Sequence, residues 1–333
     1  MEAISEFQLV RPTSLAAVLE ARKSHPQAQL LGGGTDLVVN IRRGIVAPPV
    51  LIDMTGVAEL HTIKADAKDL EIGASVTLVE VANHPGIVAH YPVVAQAAAS
   101  IAGPTHRNMG TVGGNLCLDT RCIFYNQSQW WRSANNHCLK TTGEMCHVAP
   151  KSRGVCFATY SGDLAPALMT LEAEADLARP AGRRTLPLKD LYIGDARHDG
   201  SGRGDGKRYL ALAPGELVLG VRVGAVAGLR SAYDKVRIRR SIEYPVAGVA
   251  VALRRDGDIL ADLRVAITGT NPRPVLLEGT RDLCGGPLDS RVFQGLDTLV
   301  RDQIMSMKTT FTPGHYRRRV AGVLARRLVQ RLW

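Results

Sequence analysis

Six cysteines occur in this chain of 333 residues, and four of them, Cys122, Cys138, Cys146 and Cys156, fall within residues 119–158. The densest part reads "DTRCIFYNQSQWWRSANNHC", from Asp119 to Cys138. Thiols so grouped can form disulfides, ligate a metal centre or fill a core. The opening "MEAISEFQLVRPTSL" lacks the charged-then-apolar order of a secretory signal, so a cytoplasmic location is expected. In that reducing compartment clustered cysteines bind metals or do redox chemistry more often than they pair. An iron–sulfur cluster needs several thiolates on a loop that wraps it and screens its sulfides, with Phe124, Tyr125, Trp130 and Trp131 as candidate shields. Zinc could use His137 and His147, although no C-x-x-C knuckle is present. Unliganded core thiols are the plainest alternative, and the residues alone leave all three open.

Two glycine loops suggest a second chemistry. "LLGGGTDL" comprises Leu30, Leu31, Gly32, Gly33, Gly34, Thr35, Asp36 and Leu37, and differs from the G-x-G-x-x-G fingerprint. Its glycines let backbone N–H groups converge on an anion, and Thr35 adds a hydroxyl near an expected helix start. "HRNMGTVGGNL" offers Thr111, Gly113, Gly114 and Asn115. Two such loops together predict a diphosphate held between them, hence a dinucleotide cofactor. In "SGDLAPAL", Asp163 reads as a helix cap or a ligand contact. Strand alternation in "KVRIRR" places Lys235, Arg237 and Arg239 on one face, either a solvated face or a cation near a flavin ring.

The elements that position these residues are of mixed type. Ser14 can cap a helix with Leu15, Val18 and Leu19 inward, and "VLIDMT" suits a buried strand. Alternation in "DLEIGASVTL" and "GELVLGVRV" predicts further strands, and Asp256-Gly257 a hairpin turn. The expected fold is α+β, a small βαβ unit joined to a larger mixed or antiparallel sheet. A small α/β domain follows. The boundary is placed near residue 225, giving domains 1–225 and 226–333, with 119–158 an insertion and 197–208 a surface loop. The formal charge is +10, but the arginines are dispersed, which disfavours nucleic acid. They are densest in a C-terminal helix with Val320, Val323, Leu324 and Leu328 inward and a basic outer face, suited to its solvated role or to an acidic protein partner. No stretch approaches the ~20 apolar residues of a membrane span.

The order "LLGGGTDL", "GTVGGNL", "SGDLAPAL" and "KVRIRR" resembles the FAD-binding subunits of the molybdenum hydroxylases, the xanthine and carbon monoxide dehydrogenase family. The resemblance implies FAD as cofactor and a C-terminal domain like that of carbon monoxide dehydrogenase flavoprotein. It assigns the diphosphate and adenosine to residues 30–37 and 111–115, with Ile101 packing near the ring. Asp163 would reach the FAD, Val218 contribute a backbone contact and Lys235 approach the flavin pyrimidine. Arg239 and Glu243 are further candidates. Implied partners are a molybdenum-cofactor large subunit and a [2Fe-2S] small subunit, in a dimer of heterotrimers, and no catalytic residue for substrate chemistry lies on this chain. Ordinary members lack the insertion at 119–158. It is similar to that of the 4-hydroxybenzoyl-CoA reductase branch, where four cysteines hold a [4Fe-4S] cluster. That likeness makes Cys122, Cys138, Cys146 and Cys156 ligands, reduced ferredoxin the electron donor and reductive dehydroxylation to benzoyl-CoA the reaction. Cys117 and Cys284 then read as packing residues. The alternatives are a related subunit serving another substrate or NAD(P), and a zinc-stabilised binding protein without enzymatic function.

Overall fold

In the computed structural model, which describes residues 5–195 and 204–333, Ser14 caps the helix Leu15–Ser24 by accepting from Ala17 N. That helix buries Leu15 and Val18 against a parallel three-stranded sheet. Its strands are β1 (Gln8–Val10), β2 (Gln29–Leu31) and β3 (Val50–Asp53), with β3 central. Of the expected loop at 197–208, residues 197–203 lie outside the described residues.

A second, antiparallel sheet carries the middle of the chain. It comprises β4 (Ile63–Ala65), β5 (Leu70–Gly73), β6 (Glu174–Arg179), β7 (Gly182–Pro187) and β8 (Leu217–Val223), in the order β4-β5-β8-β6-β7. Alternation in "DLEIGASVTL" stops earlier than expected. Thr77 forms a reciprocal capping box with Glu80, so Leu78 opens a helix rather than prolonging a strand. Helices Pro92–Ser100 and Leu164–Thr170 fill the core shared by this sheet and the strands between residues 230 and 268.

The third sheet runs β12-β11-β10-β9, from β9 (Arg230–Val236), β10 (Ala247–Asp256), β11 (Ile259–Thr268) and β12 (Val275–Leu276). The hairpin turns at Asp256-Gly257 as read, with Gly257 at φ 57°, a left-handed conformation that favours glycine. Helices Ser290–Gln303 and Gly314–Leu332 cover this sheet. The last helix corrects the sequence reading. Its buried stripe runs through Arg317, Ala321, Leu324 and Leu328, so Arg317 belongs to the interior and not to the basic outer face, while Val320 and Val323 are only partly buried. The α+β class holds throughout.

Candidate functional site

The two glycine loops meet. A Cβ on Gly33 would lie 1.5 Å from the Met109 carbonyl oxygen, and one on Gly32 would lie 2.7 Å from Thr111 Oγ1, so the backbones touch only because both residues are glycine. The loops differ in what their amides do. Among the described residues, Gly32, Gly33, Gly34 and Thr35 donate no backbone hydrogen bond, which leaves these N–H groups available to an anion. The expected donors of the second loop are already engaged, with Gly113 N on Ala74 O at 2.8 Å and Gly114 N on Thr111 Oγ1 at 3.1 Å. Gly113 is needed for approach, since a Cβ there would meet Ala74 at 2.9 Å. Val218 adjoins this junction, because Ala74 N donates to the carbonyl of the next residue, Leu219, at 2.8 Å.

Asp163 does not cap its helix. Its carboxylate is buried and accepts from Lys235 Nζ at 2.9 Å and from the Tyr233 hydroxyl. Tyr233 and Lys235 are two residues apart in β9 and therefore share a face, a signal present in the sequence but not used there. Burial, then the Asp163 charge, pushes the Tyr233 phenol far above its usual range and keeps it a donor. Asn115 Oδ1 accepts from Leu164 N at 3.1 Å, tying the second glycine loop to the same helix.

The expected alternation of Lys235, Arg237 and Arg239 on one strand face fails, because β9 ends at Val236 and a bend follows. Arg239 N instead donates to Glu243 at 2.6 Å within an exposed turn. Arg237 reaches the Ser100 carbonyl at 3.1 Å, and Ile242 N the Ala102 carbonyl at 3.2 Å, which bracket buried Ile101. Tyr244 closes the circuit with a 3.4 Å hydrogen bond to Asp36. All the residues expected at the dinucleotide site thus fall into one connected locus.

The cysteines form a second locus beside it. Cys122, Cys138, Cys146 and Cys156 are all buried and together wall one narrow pocket. Phe124, Tyr125, Lys140, His147 and Ala158 complete the wall. Trp131 backs Phe124 at 6.3 Å between ring centres, whereas Trp130 is 76% exposed and shields nothing. Burial pushes the Cys122 thiol up to about 11 and the Cys156 thiol up to about 12. Such thiols are inert unless a cation draws off the proton. No group of three or more His, Cys, Asp or Glu side chains among the described residues is placed to hold a single metal ion. His147 is also engaged, its Nε2 lying 2.5 Å from the His137 carbonyl. Thiols spaced around a cavity fit a polynuclear cluster better than one zinc, which needs its ligands drawn to a single point.

Sequence reasoning missed the link between the loci. Arg121, next to Cys122, forms an ion pair with Asp36 in the first glycine loop and donates to Asn40 Oδ1 at 3.1 Å. Lys140, also missed, enters the pocket wall paired to Asp119 at 2.6 Å. A wider cleft, about 550 Å³, lies elsewhere between Leu15, Glu59 and the outer face of β6–β8. It contains none of the expected site residues, and Asp176 and Arg222 there pair with each other at 2.7 Å.

Known proteins share this fold. The family described as the FAD binding domain in molybdopterin dehydrogenase matches residues 5–225, and the CO dehydrogenase flavoprotein C-terminal domain matches residues 231–332. The chain belongs to the FAD-binding subunits of the molybdopterin dehydrogenases. It is 30% identical to the aldehyde oxidoreductase FAD-binding subunit PaoB of Escherichia coli, over 94% of this chain and 95% of that one. It is 26% identical to the carbon monoxide dehydrogenase medium chain of Afipia carboxidovorans, over 98% and 96%. Among solved structures, reconstituted CO dehydrogenase from Oligotropha carboxidovorans superposes with a TM-score of 0.79 at 23% identity, covering 99% of each chain. As a family member the chain is an FAD-binding, electron-transferring subunit of an oxidoreductase. No helix among the described residues is long and apolar enough to cross a membrane.

Proposed function

We propose that this chain carries FAD at the glycine-loop locus and a [4Fe-4S] cluster in the cysteine pocket, and transfers electrons for a molybdenum subunit in the same complex. The observation that carries the reading is that all four cysteines of the insertion wall one pocket, joined to the first glycine loop through Arg121 and Asp36. When bound, FAD supplies two-electron and one-electron redox chemistry and the cluster one-electron chemistry. The chain's own residues bind and screen. Amides of Gly32–Thr35 face the diphosphate, Thr111 and Asn115 hold the second loop in register, and the Val218 backbone and Ile101 flank the cofactor. Lys235, held by its pair with Asp163, would offer an ammonium donor at the pyrimidine end of the ring. Tyr125 and Ala158, both buried, keep water from the cysteine sulfurs.

In the finer reading, the complex is a 4-hydroxybenzoyl-CoA reductase. Reduced ferredoxin supplies electrons, and a molybdenum large subunit with a [2Fe-2S] small subunit removes the para hydroxyl to give benzoyl-CoA. The likeness of the cysteine insertion supports it. The 30% identity to an aldehyde oxidoreductase subunit favours a second reading, in which another substrate is oxidised and electrons leave through this chain. Substrate chemistry lies on the partner subunits in both.

The test is iron, acid-labile sulfide and FAD content of the anaerobically purified chain. About four irons and four sulfides with one FAD are expected. Flavin without iron would remove the cluster, and zinc without flavin would leave only a binding protein. The assembled complex then separates the finer readings. Benzoyl-CoA formed with reduced ferredoxin supports the reductase, and aldehyde oxidation without it supports the alternative.

A further inference from the structure

Arg317 is one of the two largest fully buried side chains, and no carboxylate pairs with it among the described residues. Its guanidinium donates from Nε to the Val246 carbonyl at 3.2 Å. Nη1 reaches Thr309 Oγ1 at 2.9 Å and the Met307 carbonyl at 3.2 Å, and Nη2 reaches the Gly269 carbonyl. Hydrogen bonds to neutral oxygens satisfy its donors but leave its charge uncompensated, which is expensive in an interior. Burial lowers its pKa to about 10, so it remains cationic at neutral pH, and Cys122 of the pocket lies within its electrostatic reach. The route between them is short. Thr309 takes the Arg317 hydrogen bond on its hydroxyl and accepts Ile123 N, the residue after Cys122, on its carbonyl at 2.9 Å. Lys140, in the pocket wall itself, contributes little net charge, because it is neutralised by Asp119 at 2.6 Å.

We infer that Arg317 is a positioning cation for the cysteine pocket, whose fixed positive charge balances an anionic thiolate-ligated cluster there and raises its reduction potential. The inference rests on the cluster reading above. Four thiolates outweigh the positive charge of a cubane, so the loaded pocket is anionic in both redox states and more so when reduced. A cation close by in a low-dielectric interior therefore stabilises the reduced form more than the oxidised one. A purely structural Arg317, tying the last helix to the loops at 246, 269 and 307, would hold the fold without moving the potential.

The experiment is a potentiometric titration of the cluster, followed by electron paramagnetic resonance, in the full chain as wild type, Arg317→Gln and Arg317→Lys. Iron and FAD are counted in each. Arg317→Gln with iron retained should show about a ten-fold lower reduced-to-oxidised ratio at a fixed ambient potential, ~59 mV more negative for a one-electron couple. Arg317→Lys should recover most of that shift, and the flavin potential should move far less. A second variant, Thr309→Asp, places a carboxylate on the guanidinium and should lower the potential in the same direction without deleting Arg317. Unchanged cluster potentials in iron-loaded Arg317→Gln or Thr309→Asp overturn the inference and leave the cluster reading standing. A wild-type chain that takes up no iron overturns the cluster reading itself.

Discussion

The glycine-loop locus and the cysteine pocket are neighbours built on opposite plans. The first is assembled from elements far apart in sequence, residues 32–36 against 109–111 and Asp163 against Lys235, and its buried cation is neutralised. The second draws its four thiols from one stretch, 119–158, and the charged residue behind it, Arg317, is not neutralised. A site made by the fold fails when backbones separate. A site made by one stretch of chain can fail alone. On the proposed reading, the pocket draws its counter-charge from a buried residue of the C-terminal helix.

The largest effects should separate the loci completely. Cys138→Ser removes one pocket ligand, so iron content should collapse while FAD content stays near wild type. Gly33→Ala drives a methyl group into the Met109 carbonyl, so the loops must part and FAD should be lost while iron is retained. Metal and flavin analysis of the two purified variants checks both. Loss of both cofactors in each variant would break the comparison and make the loci one cooperative unit.

Lys235→Met sharpens the comparison at the next scale. It leaves Asp163 buried with only Tyr233 as partner, and stranding one member of a buried ion pair costs about 3–5 kcal/mol. Urea unfolding at neutral pH should show that loss. The double variant Lys235→Met with Asp163→Leu should recover part of it, because neither charge is then stranded.

These sites were unequally legible in the sequence. The glycine loops and the cysteine group announced themselves through residue type and spacing, and the hairpin through Asp256-Gly257. What the residues could not convey was tertiary pairing. Asp163 looked like a cap because Asp before an apolar helix usually is one. Its actual partner lies 72 residues away. Arg317 looked like one more basic residue in "YRRRVAGVLARRLVQRLW", and periodicity misplaced it, because an arginine whose three nitrogens each find a carbonyl or hydroxyl can occupy an apolar stripe. Trp130 and Trp131 are adjacent on a helix and so face different ways, which is why only Trp131 turns toward Phe124.

The smallest effect comes from the thiols themselves. In the iron-free chain burial holds the Cys122 thiol up to about 11, whereas the unfolded chain ionises it near 8.5. Between those values the folded state keeps a proton that the unfolded state has lost. The stability this thiol contributes is therefore present below about pH 8.5 and falls as pH rises toward 11, by about 1.4 kcal/mol per pH unit for each such thiol. Cys156, pushed up to about 12, acts in the same sense. In the iron-loaded chain the ligating thiols are already deprotonated, so their share of that slope should disappear. Thermal melts of the two forms from pH 7 to 10 measure the difference directly. A steep decline confined to the iron-free form places the alkaline sensitivity in the pocket. Equal decline in both forms would assign it instead to Cys117, which burial also pushes up to about 12 and which lies outside the pocket wall.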